Sequence, residues 1–261
     1  MFRWFPLFIL ILWFSMAVGA TWLPLQPNLI TLPNILHPPS ATAWLGYDDL
    51  GRPLLDRLIM GAHTSFFVAF FVVTVSLIVG TLIGMISGWV GGIFDLIVVR
   101  IIDIFLAFPG ILLAIALAGL LKPGIENVIF ALSVVGWVGF ARLARAQTLA
   151  LREREHVRAA IALGAGMPRI LWYHVLPLLG APLMIEATFG IAGSVIAEAG
   201  LSFLGLGVQP PTASWGAMIR DGTGYMLMAP HTVLVPGMML MLIVLSVNRL
   251  GDELQDWLGL R

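Results

Sequence analysis

With 261 residues, 59% of them hydrophobic and only 11% charged, and a mean hydropathy of +0.98, the chain departs from soluble domains, where about 25% of residues are charged. It reads as one integral membrane domain, with room for several spans of about 20 residues but for no sizeable soluble domain. Fourteen basic residues cancel fourteen acidic ones, which removes any general attraction to nucleic acid, and the absence of cysteine excludes disulfides, thiolate metal sites and cysteine nucleophiles.

Residues 1–23 are the first expected transmembrane helix, since from Phe2 to Trp22 the only polar side chains are Arg3, Ser15 and Thr21. The charged start and the small residues from Ala17 to Ala20 also suit a cleaved signal peptide. A retained span is favoured because the apolar run reaches Leu25, beyond a usual signal core. Residues 24–63 form an extracytoplasmic segment in which Pro24, Pro27, Pro33, Pro38 and Pro39 forbid a long helix. Within it, Asp48 and Asp49 are placed to cap a short interfacial helix from about Leu50, with Arg52 and Arg57 neutralising Asp49 and Asp56. A metal site built on those two aspartates lacks further ligands.

Residues 64–250 form the expected membrane core. The second span, 65–89, carries Gly80, Gly84 and Gly88 at four-residue spacing, a stripe that lets another helix of the same bundle come close. The third, 93–121, holds Asp95, Arg100 and Asp103, and Arg100 and Asp103 lie three apart, where they can pair near the cytoplasmic end. Lys122, Pro123 and Gly124 make an outer turn before the fourth span, 125–146, which ends with Arg142 and Arg145.

The loop 148–177 contains REREHVRAAIALGAGMPRILWYHVLP, with Arg152, Arg154, Arg158 and Arg169, and so many arginines beside span ends mark a cytoplasmic loop. Ala159, Ala160 and Ala162 favour a short helix over 155–163, and Gly164 is the residue type that stops one. After a turn at Gly166, Pro168 opens a second helix leading to Pro177, so the loop is an ordered helical hairpin. Its small residues leave a face that a partner can approach. Composition alone leaves open a basic loop that only fixes topology.

The fifth span, 178–201, contains Glu186 and Glu198, the latter expected near the outer end within reach of water. The helix then breaks at glycines and prolines, with Trp215 as an interfacial anchor. The sixth span is 231–247, and an amphipathic segment follows, with 251–261 as a cytoplasmic tail. Six spans place both termini inside, and the arginines agree: Arg3, Arg142, Arg145, Arg152, Arg154, Arg158, Arg169, Arg249 and Arg261 fall inside, against Arg52, Arg57, Lys122 and Arg220 outside.

Lys122 is the sole lysine and Pro123 follows it, so the sequence holds no phosphate-cradling G-x-x-x-x-G-K-[ST] loop. The five histidines show no H-E-x-x-H spacing, and no G-x-S-x-G turn appears. No catalytic residue, metal ligand or cofactor site is expected. Any ATP that drives this chain is bound by another.

Three stretches resemble permease subunits of binding-protein-dependent ABC importers, of the dipeptide, oligopeptide and nickel branch, in particular the second, C-type subunit. Ala159, Ala160, Gly164, Leu176 and Pro177 match the EAA loop, with Arg158 in place of the family glutamate and His174 in place of isoleucine. Asp48, Asp49, Leu50, Gly51 and Arg52 match a second motif, in which Tyr47 stands for threonine, and the passage from Ala197 to Gly222 matches a third. The resemblance implies an all-α fold of type I ABC importer permeases, with six transmembrane helices and a cytoplasmic coupling helix. It assigns ATPase coupling to Glu155, Arg158, Ala159, Ala160, Leu163, Gly164 and Ala165. Structural roles fall to Asp48, Asp49, Gly51, Arg52, Glu198, Ser202, Gly205, Gly207, Pro210, Pro211, Trp215 and Gly216. It further implies a bacterial inner-membrane protein with a second, homologous permease subunit, two cytoplasmic ATPase subunits carrying ATP and Mg, and an extracytoplasmic binding protein, all embedded in lipid. Alternating access then moves a di- or oligopeptide, or alternatively nickel or another small solute. An ion-coupled secondary transporter using Glu186, Glu198 or Asp103 is the rival class, but it calls for an internal repeat that the two halves do not show.

Overall fold

The computed structural model describes residues 4–41 and 43–259, so that Phe2, Arg3 and Arg261, which enter the topology argument, lie outside them. The described residues form α1 (Trp4–Gly19), α2 (Leu54–Val90), α3 (Gly92–Ala107), α4 (Gly110–Leu120), α5 (Ile125–Leu151), α6 (Glu155–Ala162), α7 (Met167–Ile170), α8 (Leu176–Phe203), α9 (Trp215–Thr223) and α10 (His231–Trp257). A π-helical turn, Leu171–Val175, joins α7 to α8.

Among the described residues, four helical runs are long and apolar enough to cross a membrane: α2, α5, the continuous stretch Met167–Phe203, and α10. The pair α3 and α4 is apolar enough together but bent by 88° at its break, the geometry of a broken span or a re-entrant loop. The expected third span is therefore broken, and Pro109 is the cause. It has no N–H to continue the ladder and pushes Phe108 out of the helical region, to φ −105° and ψ 142°. The first expected span appears as α1, 16 residues of apolar helix, about 24 Å long against a hydrocarbon core of about 30 Å. Its buried residues Ile9, Trp13 and Ala17 face the bundle, where the Trp13 indole donates to the Ala62 carbonyl at 3.2 Å.

At 37 residues α2 is the spine. It is about 55 Å long, so it must project beyond the bilayer. No helix starts near Leu50: residues 49–50 are a turn, and α2 begins at Leu54 and runs through the boundary expected at residue 63. It ends where Gly91 takes φ 68°, which allows a two-residue reversal into α3. The glycine stripe packs internally. A Cβ on Gly80, Gly84 or Gly88 would collide with the backbone carbonyl of Trp137, Ala141 or Arg145 of α5. Lipid supplies no hydrophobic drive for two helices to associate, so this close approach rests on van der Waals packing. α10 continues ten residues past the expected end of its span, through Arg249 and Glu253, which pair at 3.4 Å.

Three buried clusters share α2 and α8. One joins α1, α9 and α10 to the N-terminal half of α2, one fixes α6 and α7 against α2, α5 and α8, and one fills the space under α4.

Candidate functional site

The hairpin at 148–177 is built as its sequence suggests. Val157 is fully buried and Ala160 nearly so, and Val157 ties α6 to the bundle through the same cluster as Ile170, Leu171 and Val175. Gly164 adopts φ +83°, its N–H donates to the Ile161 carbonyl at 2.9 Å, and the Ala165 N–H donates to the Ala160 carbonyl at 3.0 Å. That bond pair closes a helix through a left-handed residue. An added Cβ on Gly164 would meet nothing within 4 Å, so the demand for glycine is conformational and not steric.

Two of the three alanines lie on the exposed face, and larger apolar side chains join them there. Ala160 turns inward, and Ala165 is half-buried, while Glu155, Arg158, Ala159 and Ala162 lie outside with Ile161 (48% exposed) and Leu163 (88% exposed). Arg158 is bound within the chain, donating to Glu153 at 2.5 Å, and this bond, followed by one from Arg152, holds the Glu153 carboxyl below the usual range. The result is a small apolar knob rimmed by charge, on an anchored helix.

At the other end, Asp48 is the hub. Its Oδ1 accepts from the backbone N–H of Leu50 and Arg52, and its Oδ2 accepts from Arg52 Nε at 2.6 Å and lies 3.3 Å from Arg57 Nε. Asp49 is 3.4 Å from Arg52, and burial, aided by Asp48, pushes its carboxyl above its ordinary value. Asp56 does not pair with Arg57, as the sequence suggested, but accepts from the Gln26 N–H. Gly51, at φ +71°, lies against the Thr31 carbonyl.

The third motif is a strap that closes the end of the bundle away from the hairpin. Glu198 is fully buried and accepts from Ser65 of α2 at 2.9 Å and from Ser202 at 2.8 Å, so it is not within reach of water. Ser202 Oγ in turn accepts from the Val208 N–H, and Gly207 leaves room for that hydroxyl. Gly205 turns the chain at φ +79°, a cis bond joins Pro210 and Pro211, and Ser214 caps α9. Gly216 lies on the Ala199 carbonyl of α8. Trp215 is fully buried, its indole donating to the Leu58 carbonyl at 3.0 Å against Gly61, so it is a core residue and not an interfacial anchor.

Two features were not foreseen. Asp95 of α3 is held by Arg145 of α5, at 2.5 and 2.6 Å, and by Ser87 of α2, so three helices meet at one carboxylate. The expected pair Arg100 and Asp103 is present at 4.0 Å but well exposed. A spacing of fifty residues leaves no local signal for the first pair. The second feature is a half-open cavity of about 510 Å³ among α2, α4, α5 and α8, with Gly110, Gly136, Gly190 and Gly193 in its walls.

An all-helical bundle with an anchored hairpin on one face and a cavity between its crossing helices is the architecture of a transporter's membrane component. Residues 80–260 match the family described as binding-protein-dependent transport system inner membrane component, and the chain belongs to that family. It is 42% identical over 223 residues to the dipeptide transport system permease protein DppC of Alkalihalophilus pseudofirmus, covering 85% of this chain and 73% of that one. It is 41% identical over 252 residues to the glutathione transport system permease protein GsiD of Shigella flexneri serotype 5b, covering 96% and 83%. Its fold resembles that of a chain from the inward-facing MetNI methionine ABC transporter, with a TM-score of 0.60 at 19% identity, covering 77% of this chain and 98% of that one.

Proposed function

We propose that the chain is the permease subunit of an ATP-driven importer of short peptides in a bacterial inner membrane, with both termini cytoplasmic. A second permease subunit completes the pathway, two ATPase subunits dock below, and a binding protein delivers substrate above. The observation that carries this reading is the α6 knob: Leu163, Ile161, Ala159 and Ala162 stand exposed on a helix that is itself pinned through Val157 and Ala160. An apolar face outside the bilayer calls for a partner, and a pinned helix passes that partner's motion to the bundle. Glu155, Arg158, Gly164 and Ala165 set its edges and its end. ATP and Mg belong to the ATPase subunits, because the chain has no lysine in a phosphate-binding context.

The relatives are named for transport of a dipeptide and of glutathione, both short peptides, which favours a peptide over nickel as cargo. The chain has no cysteine, so Leu163→Cys gives a single reactive thiol. In the assembled transporter a bifunctional cross-linker at that thiol captures an ATPase subunit, whereas one at Leu227→Cys, also fully exposed, does not. Failure of Leu163→Cys to reach the ATPase subunit overturns the reading.

A further inference from the structure

Among the described residues, Glu186 is the one charged side chain lining the cavity among α2, α4, α5 and α8. It lies 19 residues beyond Met167 (186 − 167) in the continuous 37-residue run Met167–Phe203, close to the midpoint of a helical stretch of about 55 Å that crosses a hydrocarbon core of about 30 Å. Its Oε1 rests over Gly139 of α5, where an added Cβ would stand 2.5 Å away. No group among the described residues hydrogen-bonds or ion-pairs with its carboxylate. Deeper in the bundle, Glu198 is answered by two serines and Asp95 by Arg145 and Ser87. A carboxylate at this depth is costly unless a cation or water meets it, and the cavity is where one arrives.

The rest of the lining fits the same guest. Ser76 Oγ is buried without a partner, and Ser76 and Ser194 both face this space, offering hydroxyls to a peptide group beside walls that are otherwise apolar. The volume of about 510 Å³ lies within the range of roughly 300–1,000 Å³ that holds small ligands.

We infer that Glu186 is a specificity-determining residue, whose carboxylate pairs with the primary ammonium of a short peptide as it crosses the bundle. The inference rests on the peptide reading given above. Ser76 and Ser194 then meet the peptide's amide, and the apolar walls accept its side chains.

The test uses the complete transporter reconstituted in liposomes, with Glu186→Gln and Glu186→Asp beside the wild type. The probes are a dipeptide with a free amino terminus and its N-acetyl form, each at a concentration that saturates the binding protein. Uptake of the free-amine dipeptide falls roughly tenfold or more in Glu186→Gln and is largely kept in Glu186→Asp. Uptake of the N-acetyl form does not fall in either variant, so discrimination between the two probes collapses in Glu186→Gln alone. Unchanged uptake of the free-amine dipeptide by Glu186→Gln overturns the inference. An equal loss of both probes, or a loss of assembled complex in both variants, also overturns it and makes Glu186 a packing residue or a contact for the second permease. If the wild type takes up neither probe, the peptide reading fails along with it.

Discussion

The two ends of this molecule treat their polar groups in opposite ways. At the outer end, Asp48 answers Arg52 and Arg57, Glu198 is met by Ser65 and Ser202, and Trp215 is buried with its indole bonded to Leu58. At the α6 hairpin, apolar Leu163 and Ile161 stand in the open beside Glu155 and Arg158. The first end is finished within the chain. The second is complete in its fold and incomplete in its contacts. Damage at the outer end is therefore expected to appear as lost stability, and damage at the hairpin as lost coupling in a stable protein.

The largest expected effect is from Asp48→Ala. It takes the carboxylate from Arg57, which is 3% exposed, and leaves Arg52, 8% exposed, with Asp49 alone, and uncompensated buried charge costs about 3–5 kcal/mol. Thermal unfolding of the purified complex should show it as a large fall in melting temperature and in yield. A change of only a few tenths would mean that the outer end is not self-contained. Next is Gly84→Val, which drives a branched side chain into the Ala141 carbonyl and should cost about 1–3 kcal/mol, or separate α2 from α5.

Gly164→Ala should cost about 1–2 kcal/mol, because an L residue is held at φ +83°. Its transport defect should exceed what that loss of stability explains, as read by uptake per assembled complex. Leu163→Asp sharpens the contrast further. Its stability should stay within about 0.5 kcal/mol of wild type, while uptake is abolished and cross-linking to the ATPase subunit is lost. Normal uptake in this variant would dissolve the distinction between the two ends.

The smallest effect concerns pH. Because the Asp49 carboxyl is raised in the folded protein by burial and by Asp48, its contribution is fully present below its ordinary value of 3.8 and is lost as pH rises through the raised value. Asp49→Asn should therefore flatten the fall in melting temperature between pH 4 and neutrality. Parallel curves for the variant and the wild type would count against it.

Much of this architecture was legible in the sequence. The apolar blocks, the hairpin and its glycine stop are written in local composition and spacing, and the glycine stripe of α2 packs internally, as its spacing suggests. The break at Pro109 is equally local, since Phe108, Pro109 and Gly110 carry the signal, but the apolar run across it reads as one unbroken span. Other expectations erred for a different reason. Glu198 and Trp215 look like outer-end groups along the chain, yet both are fully buried because α9 folds back across α2 and α8. Asp49 does meet Arg52 as expected, but Asp56 does not meet Arg57, and Asp48 reaches both arginines because the loop before α2 wraps around it.

By itself, the sequence determined an apolar, multi-helix membrane protein with one ordered basic hairpin, since helix length, helix ends and charge bias depend on residues a few positions apart. Only the tertiary structure decided that Arg145 meets Asp95, that Ser65 meets Glu198, that Leu163 faces outward while Ala160 faces inward, and that Glu186 stands unpaired over a cavity. Those outcomes depend on how whole helices cross. In a bilayer the crossing is set by where small residues let backbones touch, and that fit belongs to pairs of distant segments and to no single stretch of the chain.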